Sequence, residues 1–162
     1  MTVYTALDIA NYVISTQPKD DSLSEFDKYG ERLTHLKLQK ILYYIQGFSL
    51  AIHDKPVFKD DIQAWPHGPV VSEVYNKYRQ HRCNPLPDAN KKDTIQVDKE
   101  VKSIVKNVLD EVGQFSAWKL RNMTHEELPW KNAWERGGGQ MSNQKISQED
   151  MKAYFSSFLC GD

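Results

Sequence analysis

A histidine and two carboxylates occur together at one place in the chain, His125-Glu126-Glu127. A helical zinc-hydrolase motif would need a second histidine four residues after the first, and Pro129 occupies that position. We therefore expect His125 to be a hydrogen-bonded or solvated histidine at a helix end. The two glutamates are expected to be solvated, and metal binding at His125 is the weaker alternative.

The other candidate chemical sites are also incomplete. His81 and Cys83 lie two residues apart, but a structural zinc site needs four nitrogen or sulfur ligands and Cys160 is the only other thiol. Glycines 137–139 lack the lysine and hydroxyl residue of a phosphate-binding loop. Adjacent carboxylates do not face each other, so neither pair resembles the acid pair of a glycosidase: Asp60-Asp61 and Glu126-Glu127. The sequence predicts no catalytic residue, no metal and no cofactor.

The composition indicates which classes of binding partner are expected. The 162 residues carry 21 basic and 22 acidic side chains, a formal net charge of −1, with no charge asymmetry between the halves. Such a balance does not favour binding to a phosphate backbone, so we expect no nucleic-acid partner. No apolar run approaches the ~18 residues of a membrane span. The first residues lack a basic and apolar leader, which together with two cysteines predicts a cytoplasmic protein with free thiols.

The strongest helix signal covers residues 34–53. Thr34 is a candidate cap, and Tyr44 and Ala51 widen the apolar surface beyond one stripe. The stripe itself follows spacings of three and four: Leu38, Ile41, Leu42, Ile45, Phe48 and Ile52. A helix that is apolar on so much of its circumference is expected at the centre of the fold, with neighbours on several sides.

The remaining segments predict a mainly α, single compact domain over residues 1–162, with five to seven helices around the central one. Further helices are expected over residues 5–16, within 23–29, from Asp98 to Gly113, and in short segments towards the end. Pro69 suits the first position of another helix. Alternating residues at 62–65 and 94–97 predict a small two-stranded β element.

Two segments combine residue types that suit protein binding. Lys37, Lys40 and Tyr44 lie on one flank of the central helix, and Trp65 precedes a tight corner that includes His67. Tryptophan and tyrosine are common anchors in protein interfaces, although a tryptophan at a corner is more often part of the core. Both interpretations remain open at this point.

These two segments resemble the Panacea antitoxin domain family, also described as SocA-like or phage-associated GepA-like, over a motif core of residues 34–78. The first match is Lys-Leu-Gln-Lys-Ile-Leu-Tyr-Tyr at 37–44, and the second is Ala-Trp-Pro-His-Gly-Pro-Val at 64–70. Six of these residues are the candidate partner contacts: Lys37, Lys40, Tyr43, Tyr44, Trp65 and His67. Seven more belong to the motif in a structural or functional role: Leu38, Gln39, Leu42, Ala64, Gly68, Pro69 and Val70.

The resemblance implies an antitoxin of a bacterial toxin–antitoxin system. Members of the family generally neutralise a cognate toxin by forming a complex with it. The main alternative is a proteolytic adaptor that delivers the toxin to a cytosolic AAA+ protease, and a small enzyme of unknown class is the weakest alternative. The expected partner is therefore a toxin protein, with the protease as a second partner in the adaptor alternative.

Overall fold

The computed structural model describes residues 1–17, 33–87, 94–139 and 143–160. These residues contain seven α-helices, one 3-10 helix at Arg79–His81 and one short hairpin, joined by loops. In chain order the α-helices and strands are α1 (Ala6–Ser15), α2 (His35–His53), β1 (Gln63–Trp65), β2 (Gly68–Val70), α3 (Ser72–Tyr78), α4 (Lys99–Val112), α5 (Ala117–His125), α6 (Leu128–Arg136) and α7 (Gln148–Cys160). The prediction of a mainly α fold is confirmed, whereas the helical piece expected within 23–29 lies outside the described residues.

Helix α2 is the centre of the fold, as predicted. The Thr34 side chain accepts a hydrogen bond from the Lys37 amide at the start, and Asp54 ends the helix in the left-handed conformation with φ 56°. Five other helices pack against it: α1, α3, α4, α5 and α7. Its buried residues extend around most of the circumference, which places even polar side chains of this helix inside the molecule.

The β element is local, and the predicted pairing of 62–65 with 94–97 is wrong. Strand β1 pairs antiparallel with β2, with Trp65 opposite Gly68, and 94–97 form no strand. Pro69 lies in β2, so the helix expected to begin there starts at Ser72 instead. A two-residue turn closes the hairpin at little entropic cost, and Gly68 adopts the φ of 115° that the turn requires.

The C-terminal part of the chain encloses both the hairpin and α2. Ala64 donates to the Gln144 carbonyl at 2.8 Å, and Ile146 donates to the Ile62 carbonyl at 2.7 Å, so this segment lies along the free side of β1. Helix α7 follows and packs closely on α2, where a Cβ atom at Gly47 would lie 2.1 Å from the Phe155 ring. Only glycine allows this close approach of the two helices.

Helices α5 and α6 join at Glu127. Helix α5 runs through to His125, and Glu127 is the residue that precedes α6. Pro129 lies in the first turn of α6, where a missing amide donor costs nothing. This junction brings the end of α5 and the start of α6 against the middle of α2.

Candidate functional site

Four side chains, from α2, from α7 and from the residue that precedes α6, form a tyrosine–glutamate cluster. Tyr43 and Tyr44 of α2 donate their hydroxyls to the Glu127 carboxylate at 2.9 and 2.7 Å. The Tyr154 hydroxyl of α7 lies close enough to this carboxylate to affect its pKa. Two phenols donate to the carboxylate and a third lies nearby, so the cluster joins α2, α7 and the start of α6 through one polar group.

Burial dominates the ionisation of the tyrosine–glutamate cluster. Desolvation raises the pKa of Glu127 to about 7, although the hydroxyls of the three tyrosines oppose the rise. The same burial, together with the neighbouring carboxylate, raises the pKa of Tyr154 to about 12 and those of Tyr43 and Tyr44 above their ordinary values. The phenols therefore remain donors, and the cluster is a structural hydrogen-bond network.

Lys40 lies on the same helix but in a different environment. The side chain is 2% exposed, and its Cε lies beneath Gly68, where an added Cβ would be only 2.7 Å away. Among the described residues, none forms a hydrogen bond or an ion pair with its ammonium group. Burial and the positive charge of Arg121 lower the pKa of Lys40 to about 7.

The other polar residues of the 37–44 segment hold neighbouring backbone. Lys37 donates from Nζ to the Gly113 carbonyl at 2.6 Å. The Gln39 side chain accepts from the Val71 amide at 2.8 Å and donates to the Val71 carbonyl at 3.3 Å. These hydrogen bonds fix the end of α4 and the start of α3 against α2.

The corner between β1 and β2 is held from behind by α5 and α6. Trp130 donates from its ring nitrogen to the Trp65 carbonyl at 2.9 Å, and the His125 ring lies 2.7 Å from the Pro66 carbonyl. The half-buried Trp65 ring meets Tyr75 edge-on at 4.9 Å between centroids. His67 is exposed at the tip. The corner is thus rigid, with one side chain free to meet a partner.

A second exposed aromatic residue lies on α5. Trp118 is 67% exposed, and the Arg121 guanidinium lies 4.8 Å from its ring centroid. The next turn of α5 reaches the corner, because the Arg121 carbonyl and the Pro66 carbonyl both contact the His125 ring. Trp65, His67, Trp118 and Arg121 therefore belong to neighbouring structural elements, and we call these four residues the corner surface.

Residues 38–131 match the family described as antitoxin SocA-like, Panacea domain. The chain belongs to this Panacea-domain family. The match contains most of α2, the hairpin and the helices up to the start of α6, which are the elements that build the corner surface. Searches of curated proteins and of solved structures find no match.

Most of the named Panacea motif residues are buried in the core, whereas Trp65 and His67 lie at the corner between β1 and β2. Lys37, Lys40, Tyr43 and Tyr44, which the sequence suggested as partner contacts, all have side chains buried within the protein. The flank is covered by the hairpin, α5, α6 and α7, so helical periodicity alone could not reveal its burial. The other motif residues are buried too: Leu38, Gln39, Leu42, Ala64, Gly68, Pro69 and Val70.

Several buried polar groups of the Panacea domain were not predicted from the sequence. Glu127 was expected to be solvated and is buried, whereas the adjacent Glu126 is exposed. His35 and Arg121 each have a buried nitrogen, Nδ1 and Nε, without a hydrogen-bond partner among the described residues. A carboxylate directly before the Leu-Pro-Trp start of α6 was the one available signal for Glu127. His125 agrees with its prediction, because it lies in the last turn of α5 with both ring nitrogens at carbonyl oxygens.

Within residues 1–17, 33–87, 94–139 and 143–160, no group of three or more histidines, cysteines, aspartates or glutamates could hold a metal ion. Of the helices described for this Panacea domain, none is both long and apolar enough to cross a bilayer.

Proposed function

We propose that this protein is the antitoxin of a bacterial toxin–antitoxin system and neutralises its cognate toxin by direct binding, without catalysis of its own. The family match over residues 38–131 carries this proposal. An antitoxin role implies a toxin partner, and complex formation is the simplest means of neutralisation. We place this action in the cytoplasm, as expected from the sequence.

The corner surface supports a binding role. Trp118 exposes 67% of its surface, and a large exposed aromatic side chain beside an arginine is typical of interface hot spots. Trp65 adds a half-buried ring, and His67 projects from a corner whose backbone is held on two sides. A surface that is already rigid loses little conformational freedom when it binds.

The buried residues of the 37–44 motif have an indirect part in this proposal. Lys37, Tyr43 and Tyr44 hold α4, α6 and α7 in place through hydrogen bonds to Gly113 and Glu127. Their contribution to toxin binding is therefore to position the corner surface. Direct contact with the toxin is assigned to Trp65, His67, Trp118 and Arg121.

The experiment is co-expression with the toxin encoded by the neighbouring gene. We expect growth to be rescued and the two proteins to co-purify as a stable complex. Trp118→Ala should weaken binding by about 2 kcal/mol or more, whereas Phe158→Ala removes a comparably exposed aromatic residue, 57% exposed, from α7 outside the matched region and should not. Equal effects of the two variants in folded protein would exclude Trp118 from the interface.

The proteolytic-adaptor alternative gives a different result in one genetic background. An adaptor loses its effect when the protease is removed, whereas neutralisation by binding does not depend on it. We therefore expect rescue to persist in cells that lack the major AAA+ proteases. Loss of rescue in those cells, with complex formation intact, would favour the adaptor.

A further inference from the structure

The ring of His125 connects the corner to α5 through both of its nitrogens. Nδ1 lies 2.6 Å from the Arg121 carbonyl oxygen, one turn earlier in the same helix. Nε2 lies 2.7 Å from the Pro66 carbonyl oxygen in the turn of the hairpin. Both distances are those of hydrogen bonds, and a carbonyl oxygen only accepts. Each of the two contacts therefore needs a proton on the histidine nitrogen.

A neutral imidazole cannot make both hydrogen bonds. It carries one N–H, so one nitrogen donates and the other presents a lone pair, whereas the imidazolium donates from both nitrogens. In the neutral ring, a lone pair would face a carbonyl oxygen at hydrogen-bond distance, which is repulsive. Loss of one proton therefore either breaks the link to Pro66 or pushes the ring away from the Arg121 carbonyl. Both outcomes loosen the connection between α5 and the corner.

Trp130 of α6 contacts both His125 and the corner. Its ring centroid lies 4.1 Å from that of His125, and its Nε1 donates to the Trp65 carbonyl at 2.9 Å. A cation within about 6 Å of an indole centroid is attracted by the ring, so this contact favours the charged form of His125. The indole N–H of Trp130 also serves as a reporter, because its acceptor is the residue directly before Pro66.

Charged and titratable groups lie on each element that packs around His125. From α2, α5, the segment around the start of α6 and the corner, they are Lys40, Arg121, Glu126, Glu127, Lys131 and His67. Glu126 forms an ion pair with Lys131 at 3.8 Å, and Glu127 belongs to the tyrosine–glutamate cluster. Within the described part of the chain, no carboxylate bonds to His125, and two backbone carbonyls are its acceptors. Neutral dipoles hold the ring protons, so a change in pH is able to remove one.

We propose that His125 is a positioning residue whose protonated ring joins the two halves of the corner surface, and that loss of one ring proton loosens them. Two residues of the corner surface lie at the hairpin and two lie on α5, and the Nε2 hydrogen bond to the Pro66 carbonyl connects these halves. Since the joined form binds an extra proton, its population falls as the pH rises. Toxin affinity should fall in the same direction, and this consequence rests on the proposed function.

The first experiment uses the protein alone, so it is independent of any toxin. Nuclear magnetic resonance follows the ring nitrogens of the histidines and the Trp130 indole from about pH 5.5 to about pH 9, which spans the ordinary titration of histidine. At the acidic end we expect both ring N–H signals of His125 to be visible, because hydrogen bonds slow their exchange with water. Those of the exposed His67 should be absent. As the pH rises, one His125 N–H should disappear, and the Trp130 signal should shift with the same midpoint.

A matched pair of variants separates His125 from other groups that titrate in this range. The pKa values of Glu127 and Lys40 are both about 7. In folded His125→Gln protein the Trp130 shift should no longer depend on pH, and in His53→Gln, at the far end of α2, it should remain. An unchanged Trp130 titration in His125→Gln would overturn the proposal. So would a wild-type His125 ring with a single N–H at the acidic end, a result that stands even if the variant does not fold.

The second experiment measures toxin affinity at about pH 6 and about pH 8.5. We expect the wild type and His53→Gln to bind about tenfold more weakly at the higher pH, the equivalent of one hydrogen bond, and His125→Gln to bind equally at both. A merely structural role would lower affinity by the same factor at both pH values. If His67→Gln removed the pH dependence and His125→Gln did not, the exposed tip would be responsible and the role of His125 in binding would be rejected. A wild-type protein that binds no toxin at either pH would instead refute the proposed function and leave the ring measurements intact.

Discussion

Helix α2 buries two kinds of polar environment within two turns, and they are opposites. Around Glu127 the charge-bearing group accepts hydrogen bonds from Tyr43 and Tyr44, and the Tyr154 hydroxyl lies close by. Around Lys40 the charge-bearing group has the positive charge of Arg121 nearby and no hydrogen-bond partner among the described residues. The first arrangement stabilises the fold by itself, whereas the second leaves a cation whose burial nothing in the described part of the chain compensates. Burial of an ionisable residue therefore stabilises a fold only where partners for its polar atoms are buried with it.

The largest difference between the two environments should appear when the carboxylate is removed. Glu127→Ala leaves the Tyr43 and Tyr44 hydroxyls without their acceptor beside a new cavity, so we expect the free energy of unfolding to fall by about 3 kcal/mol. Chemical denaturation measures it. Glu126→Ala changes the adjacent, exposed carboxylate and should alter stability by less than about 0.5 kcal/mol. Similar losses in the two variants would show that the tyrosine–glutamate cluster is not a structural network.

Replacing Lys40 should change the free energy of unfolding in the opposite direction. Lys40→Met keeps an unbranched side chain of similar length and removes an unpaired buried ammonium, so we expect a gain of about 2 kcal/mol at pH 7. The same denaturation experiment applies, with Lys102→Met as the exposed control. A destabilised Lys40→Met protein would mean that the ammonium group already has a stabilising role in the free protein.

A smaller effect is expected from a single hydroxyl of the tyrosine–glutamate cluster. Tyr44→Phe removes one of the hydrogen bonds to Glu127 and keeps the ring, so the free energy of unfolding should fall by about 1.5 kcal/mol. Tyr75→Phe is the control, because within the described chain Tyr75 makes ring contacts without a hydroxyl hydrogen bond. If the two variants lose equal stability, the Glu127 hydrogen bonds contribute nothing specific.

The pH dependence of the free energy of unfolding should distinguish the environment of Glu127 from that of Lys40, through smaller effects than those above. The pKa of Glu127 rises from 4.5 to about 7 on folding, so the native state binds the extra proton and stability falls between pH 4.5 and 7. The pKa of Lys40 falls from 10.5 to about 7, so the unfolded state binds the extra proton and stability rises between pH 7 and 10.5.

Each group contributes a slope of about 1 kcal/mol per pH unit within its window. Glu127→Gln should flatten the falling limb and Lys40→Met the rising limb, as measured by denaturation at a series of pH values. A profile that neither substitution changes would show that both groups keep their ordinary ionisation in the folded protein.

The sequence alone could predict much of the helical framework because its signals are local. Thr5 caps α1, Thr34 caps α2 and Gly113 follows α4, as the spacing of cap and apolar residues indicates. The hairpin was mispredicted because Pro69 suits both a helix start and an edge strand, and only the pairing with β1 decides between them.

The burial of the candidate site could be predicted less well from the sequence. The spacing of Lys40, Tyr43 and Tyr44 correctly places them near one flank of α2, but whether a flank is covered depends on elements 20 to more than 100 residues away. Glu127 bonds to that flank, and the charge of Arg121 comes near Lys40, only after α5 and α6 fold back on α2. Charged residues are usually exposed, so this general preference wrongly predicted solvent exposure here.

The hydrogen bonds from Ala64 and Ile146 that align residues 144–146 with β1 have a consequence for synthesis. A ribosome makes the hairpin some eighty residues before the segment that covers its free side, and Phe155, which fills the space at Gly47, comes later still. On a growing chain, β1 therefore has an open edge and α2 an open groove, both of which invite non-native pairing. The corner acquires its final support late in translation, so a stalled or shortened chain should be a target for chaperones and quality-control proteases.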